Sequence, residues 1–155
     1  MPENEQQIKT SDSNNQTDTE TTLLLVDDDP LILEGLGFVL RKQYKMITAD
    51  SRHQAMEKVQ QADELPTVAL IDLGLPPYPR KPDEGFTLIR ELLSLHPNMK
   101  ILVLSGQDND VNIQHALTIG AVDFIAKPAE PDLLLARLRH HQRLYEIDQR
   151  RDAES

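Results

Sequence analysis

Three consecutive carboxylates, Asp27-Asp28-Asp29, follow directly on the apolar run Leu23 to Val26, and a further one, Asp72, follows directly on Val68 to Ile71. Another apolar run, Ile101 to Leu104, leads into Ser105-Gly106, and Val122 to Ile125 leads through Ala126 into Lys127-Pro128. Carboxylates gathered in one place repel and raise one another's pKa unless a cation intervenes. Hard oxygen donors with open positions suit Mg²⁺ or Mn²⁺, and Mg²⁺ keeps several waters and can accept phosphoryl oxygens. A neighbouring Lys and Ser can hold the remaining oxygens, and a carboxylate can itself be the nucleophile, forming an acyl phosphate. Brought together, these side chains would support metal-assisted phosphoryl transfer to Asp72.

Whether they are brought together depends on the elements that carry them. From Thr22 onward, short apolar runs alternate with longer amphipathic ones, the pattern of repeated βα units on a parallel sheet. The expected strands are Leu23 to Val26, Lys45 to Thr48, Val68 to Ile71, Ile101 to Leu104 and Val122 to Ile125, and their mostly continuous hydrophobicity suits strands covered on both faces. The expected helices are Pro30 to Lys42, Ser51 to Ala62, Gly85 to His96, Asn109 to Ile119, and Glu130 to about Ile147. Asp29 is a candidate N-cap before Pro30, Asp50 or Ser51 opens the second helix, and His96-Pro97 and Gly120 close the third and fourth. Five βα units in this length predict an α/β, doubly wound, three-layer sandwich. Such sheets bind ligands beyond the carboxyl ends of their strands, where Asp27, Asp28, Asp72, Ser105 and Lys127 are expected to meet.

Composition narrows the function classes. The 155 residues include 16 Lys+Arg and 26 Asp+Glu, a formal net charge of −10, which repels phosphate backbones and disfavours direct binding of nucleic acid. Aromatics at 4% and the lack of Trp leave little for stacking bases. No cysteine means no disulfide, thiolate metal site or cysteine nucleophile. No apolar run reaches the length of a membrane span, so the expectation is a soluble, cytoplasmic protein. Residues 1–22 carry few apolar side chains and are expected to be a disordered leader. Residues 148–155 are expected to be an extension or a linker to an output domain.

Leu24-Leu25-Val26-Asp27-Asp28, Ile71-Asp72-Leu73, Leu104-Ser105-Gly106 and Phe124-Ile125-Ala126-Lys127-Pro128 together resemble the receiver domain of bacterial two-component response regulators, over roughly Leu23 to Ile147. The resemblance implies a flavodoxin-like sheet of order 2-1-3-4-5 and a phosphoacceptor that is not itself an enzyme. It implies that Asp72 takes the phosphoryl group from a histidine kinase or phosphotransfer protein. Asp28, Asp72 and the backbone carbonyl of Gly74 would ligate Mg²⁺, with Asp27 assisting through water. Lys127 would pair with the phosphoryl group, its peptide bond to Pro128 being cis. Ser105 would bond a phosphoryl oxygen and Phe124 turn inward behind it, changing the surface of the fourth helix, fifth strand and fifth helix. An effector domain, an output protein or a second copy of the chain would read that surface. Ser105 and Phe124 stand where Thr and Tyr are more usual, and Gly74 and Gln107 flank the path of hydrolytic water.

The loop after Asp72 departs from the family. Gly85 is reached only after Pro76-Pro77-Tyr78-Pro79-Arg80-Lys81-Pro82-Asp83-Glu84, a longer run than is common, stiffened by its prolines. It is expected to form a rim beside Asp72 that biases kinase choice or the access of water. The Asp-Leu-Gly-Leu-Pro-Pro run and Ser-Gly-Gln are similar to receivers of NtrC-like, AAA+ transcriptional activators.

Plainer readings compete. Asp27 to Asp29 could be only an acidic helix cap, Asp72 a turn residue, Ser105-Gly106 a common turn dipeptide, and Phe124 a core residue. His53, His96, His115, His140 and His141 show no metal-ligand spacing and are expected to be solvated, and neighbouring His140 and His141 point in different directions on a helix. A phosphatase of the haloacid-dehalogenase type would need an acid two residues beyond its nucleophile, where Gly74 stands. A nucleotide-binding Rossmann module would need glycines where Asp27-Asp28-Asp29 stand. A phosphate-independent interaction domain could dispense with the acidic set that this chain keeps.

Overall fold

The computed structural model describes residues 21–106 and 110–154. Most of the expected leader, together with Gln107 and the expected helix start at Asn109, lies outside them. The strands are β1 (Thr22–Val26), β2 (Lys45–Ala49), β3 (Val68–Asp72), β4 (Lys100–Ser105) and β5 (Asp123–Ala126), and the helices are α1 (Pro30–Leu40), α2 (Arg52–Gln61), α3 (Asp83–Leu95), α4 (Asp110–Ile119) and α5 (Pro131–Glu154). All strand pairings are parallel, in the order β2-β1-β3-β4-β5, the doubly wound order expected. Thr22 opens β1 and is buried, so the first strand claims a residue assigned to the leader.

Side chains alternate across a strand, and the central strands feed two apolar slabs in turn. Leu24, Val26, Ala69, Ile71, Ile101 and Val103 pack under Ala55 and Val59 of α2, Leu88, Ile89 and Leu92 of α3, and Ala116 of α4. Leu23, Leu25, Val68, Leu70, Leu102 and Leu104 pack against Leu40 of α1 and Leu134 and Leu138 of α5. Each fully buried aliphatic side chain stabilises the fold by roughly 1.5–3 kcal/mol. Both faces are therefore covered, which is why these strands read as unbroken apolar runs.

Local signals set most of the boundaries. Asp29 Oδ1 accepts the Leu31 N–H at 2.9 Å ahead of Pro30, and Ser51 Oγ accepts the Gln54 N–H at 3.1 Å. Gly120 ends α4 with φ +129°, a conformation that favours glycine. Most helix ends shift from expectation by one or two residues, α1 closing at Leu40 rather than Lys42, and two of the differences have a physical reason. α3 starts at Asp83 rather than Gly85, with Asp83 and Glu84 in the first turn where the helix dipole favours acids. α5 continues unbroken past Ile147 to Glu154, because its later turns lie against the amino edge of the sheet. There Gln142 accepts from Thr67 Oγ1 at 2.6 Å, Tyr145 bonds His96 at 2.8 Å, Asp148 pairs with Lys100, and Gln149 and Asp152 accept from Asn98 at 2.8 and 2.7 Å. These contacts attach the later turns of α5 to the domain that carries them.

Among the described residues, no helix is long and apolar enough to cross a membrane.

Candidate functional site

Parallel registry brings the carboxyl ends of four strands side by side. Val26 of β1 lies opposite Ile71 of β3, Asp72 opposite Leu104 of β4, and Ser105 opposite Ala126 of β5. The Lys127 N–H donates to the Ser105 carbonyl at 2.8 Å, extending the β4–β5 pairing by one residue. The residues expected to meet are therefore neighbours because each is the last of its strand or lies within two residues of its end.

Asp27, Asp28 and Asp72 each present a carboxylate oxygen within 4.8 Å of the others. Asp27 is fully buried, and its Oδ1 accepts the Asp29 N–H at 2.9 Å. Lys127 Nζ lies 2.6 Å from Asp27 Oδ2 and 3.4 Å from Asp72 Oδ2. The Gly74 N–H donates to Asp72 Oδ1 at 3.2 Å. The peptide bond Lys127-Pro128 is cis, as the resemblance implied, and so is Pro76-Pro77, which nothing in the sequence had marked.

The electrostatics follow from this geometry. Burial first, and the Asp27 charge with it, push the Asp72 carboxyl up to about 6, against the opposing pull of Lys127 and the Gly74 N–H. Burial alone would lower the Lys127 ammonium, but its hydrogen bond to Asp27 and the charges of Asp72 and Asp27 hold it above the usual lysine range. Three carboxylates share one ammonium, an imbalance that a divalent cation would relieve. The all-oxygen donor set and the close approach of its oxygens fit Mg²⁺ or Mn²⁺.

A cavity of about 630 Å³ opens over these groups. Asp28, Asp72, Gly74, Ser105 and Lys127 line it, whereas Asp27 lies buried beneath. Across from them stand Pro79, Arg80, Lys81 and Pro82 of the proline-rich insert, and Asn112 and Ile113 of α4. The insert closes against the floor: a Cβ at Gly74 would lie 2.1 Å from the Pro79 carbonyl oxygen. At its far end the Gly85 N–H donates to the Leu73 carbonyl at 3.2 Å. Asn112 and Ile113 carried no sequence signal, since nothing in α4's pattern marks the turn that faces the cavity.

Phe124 is outside the cavity and 41% exposed, turned outward, with its carbonyl accepting from Arg137 Nη1 at 2.9 Å. The histidines divide. His53 and His140 are exposed, but His141, expected to be solvated, is buried with Nε2 3.1 Å from Asp123 Oδ2. Its position on α5 faces β5, so the single solvated class does not hold. His96 bonds Tyr145, and His115 packs edge-on against Phe86 at 4.5 Å between ring centroids.

Residues 23–139 match the family model of the response regulator receiver domain. The transcriptional regulatory protein CreB of Escherichia coli (strain K12) is 33% identical over 119 residues, covering 76% of this chain and 49% of CreB. The chain spans about half the length of the curated relatives it matches. A CheY-like receiver domain protein from Methanospirillum hungatei JF-1 superposes with a TM-score of 0.74 at 28% identity, covering 83% of this chain and 98% of that one. NtrX from Brucella abortus, at 23% identity and a TM-score of 0.76 over 86% of this chain and 30% of its own, shares the fold.

Proposed function

The chain belongs to the response regulator receiver family, and from that premise we propose that it is a phosphoacceptor in a two-component phosphorelay, with Asp72 the residue modified. The observation that carries this reading is the convergence of Asp27, Asp28 and Asp72 within 4.8 Å of one another, with Lys127 bridging Asp27 and Asp72.

A carboxylate oxygen of Asp72 bonds phosphorus as the P–N bond of a kinase's phosphohistidine breaks, and the imidazole leaves with the electron pair. Asp27 holds the Lys127 ammonium beside Asp72, where it neutralises a phosphoryl oxygen without having to be reorganised. Asp28 and Asp72, with the Gly74 carbonyl and with Asp27 behind them, are the residues that would hold Mg²⁺ or Mn²⁺. The ion, when bound, supplies charge neutralisation for the phosphoryl oxygens. The Ser105 hydroxyl then donates to a phosphoryl oxygen, and Phe124 swings inward from its exposed position. That exchange alters the α4-β5-α5 surface, which an effector domain, an output protein or a second copy of the chain reads. The setting is the cytoplasm, where kinase and regulator meet, and the output is a changed protein surface rather than turnover of a substrate.

The test is the intact mass of the purified chain after incubation with Mg²⁺ and acetyl phosphate, beside Asp72→Asn. A gain of one phosphoryl group in the unsubstituted chain only is the expected result. No gain with excess Mg²⁺ would point instead to a phosphate-independent interaction domain.

A further inference from the structure

The phosphorylation cavity has a second charged wall. Its floor carries the carboxylates, and its resident ammonium, Lys127, is already engaged by Asp27 and Asp72. A phosphodonor must bring more negative charge into this place, on a chain whose formal net charge is −10. Arg80 and Lys81 line the same cavity from the insert. Both are exposed, and among the described residues neither forms an ion pair. Glu84, the insert's last carboxylate, is turned away to Arg52 at 3.1 Å and does not neutralise them.

The wall is also held in place. The Pro79 carbonyl occupies the space a side chain on Gly74 would need, the Lys81 N–H donates to the Tyr78 carbonyl at 2.9 Å, and Lys81 Nζ lies 5.8 Å from the centre of the Tyr78 ring. Two cations therefore stand at the mouth of an acidic cavity at little cost in ordering the loop.

We propose that Arg80 and Lys81 are specificity-determining residues, a cationic lip that favours phosphodonors of higher net negative charge. The inference rests on the reading of Asp72 as phosphoacceptor. The lip offsets the repulsion between donor and carboxylates during approach, raising the rate of productive encounter rather than the rate of bond exchange.

Two small donors separate these effects at neutral pH with saturating Mg²⁺. With dianionic acetyl phosphate, the Asp72 O–P bond forms as the P–O bond to acetate breaks and acetate leaves with the electron pair. Phosphoramidate carries a net single negative charge because its nitrogen is protonated; as the Asp72 O–P bond forms, its P–N bond breaks and ammonia leaves with the electron pair. In R80A/K81A the second-order rate constant for acetyl phosphate should fall about threefold or more at low salt, and that for phosphoramidate should fall less. The loss should shrink as KCl screens the lip, and R80K/K81R, which keeps both charges, should stay near the unsubstituted chain. A merely structural role for the loop would not track donor charge or salt. If the unsubstituted chain is phosphorylated and R80A/K81A matches it with both donors, the lip is overturned and Asp72 stands. If neither donor phosphorylates the unsubstituted chain, the reading of Asp72 fails and takes the lip with it.

Discussion

The two ends of the sheet treat charge in opposite ways. At the amino end, polar groups meet complementary partners: Lys100 with Asp148, Thr67 with Gln142, His96 with Tyr145, and Asn98 with Gln149 and Asp152. At the carboxyl end, Asp27, Asp28 and Asp72 crowd together, with Lys127 reaching only Asp27 and Asp72 among them, and the Asp72 carboxyl is pushed up to about 6. Matched pairs fasten α5 to the sheet and leave nothing for a ligand to change. The crowded end is left in surplus, and that surplus is what a divalent cation and a phosphoryl group can act upon.

The sharpest way to break this contrast is Asp72→Asn. It should abolish phosphorylation and, without divalent cations, raise the thermal midpoint by a few degrees, because a buried charge beside Asp27 is gone. A lower midpoint in the metal-free variant would mean that the carboxyl end is balanced after all. Gly74→Ala should come next, since its Cβ must displace the Pro79 carbonyl, at about 1–3 kcal/mol by denaturant unfolding.

The pH response should separate the ends further. The folded state holds the Asp72 proton more tightly than the unfolded chain, so this group's contribution to metal-free stability is fullest below its ordinary carboxylate range and is lost as pH rises through about 6. Cation binding runs the other way, since proton and metal compete for the same oxygens. Calorimetric titration with Mg²⁺ should therefore show affinity falling as pH drops below about 6; a flat profile from pH 7.5 to 5 would remove Asp72 from the ligand set. The smallest effect is expected at the amino end. Tyr145→Phe, which removes the hydroxyl bonded to His96, should cost about 0.5–1.5 kcal/mol and leave phosphorylation unchanged.

The carboxyl end was legible in the sequence because β1, β3 and β4 are apolar runs that lead into a polar residue, and β5, though interrupted by Asp123, leads through Ala126 into Lys127. Burial on both faces writes such runs directly into the central strands, which placed Asp27, Asp72 and Ser105, while Lys127 was placed by the shorter apolar stretch of β5. The amino end was not legible. The later turns of α5 lie against the sheet through Gln142, Tyr145, Asp148, Gln149 and Asp152, and polar residues on a helix look the same whether they face water or a partner. His141 escaped for the same reason, since its burial depends on Asp123, which is distant in sequence. The insert was visible by its prolines, but that Arg80 and Lys81 face the cavity depends on the close approach of Pro79 to Gly74, which no spacing encodes.

That insert has a neck. Its middle is packed over its root where the Pro79 carbonyl meets Gly74, and its exit is fixed where the Gly85 N–H meets the Leu73 carbonyl, Gly74 and Leu73 being adjacent in the chain. A segment whose ends return to the same point of the scaffold is a cassette: it can be shortened, lengthened or exchanged while Asp72 keeps its backbone. If the proposed lip sets donor choice, grafting residues 75–84 onto a receiver with a short loop should transfer donor preference as one unit.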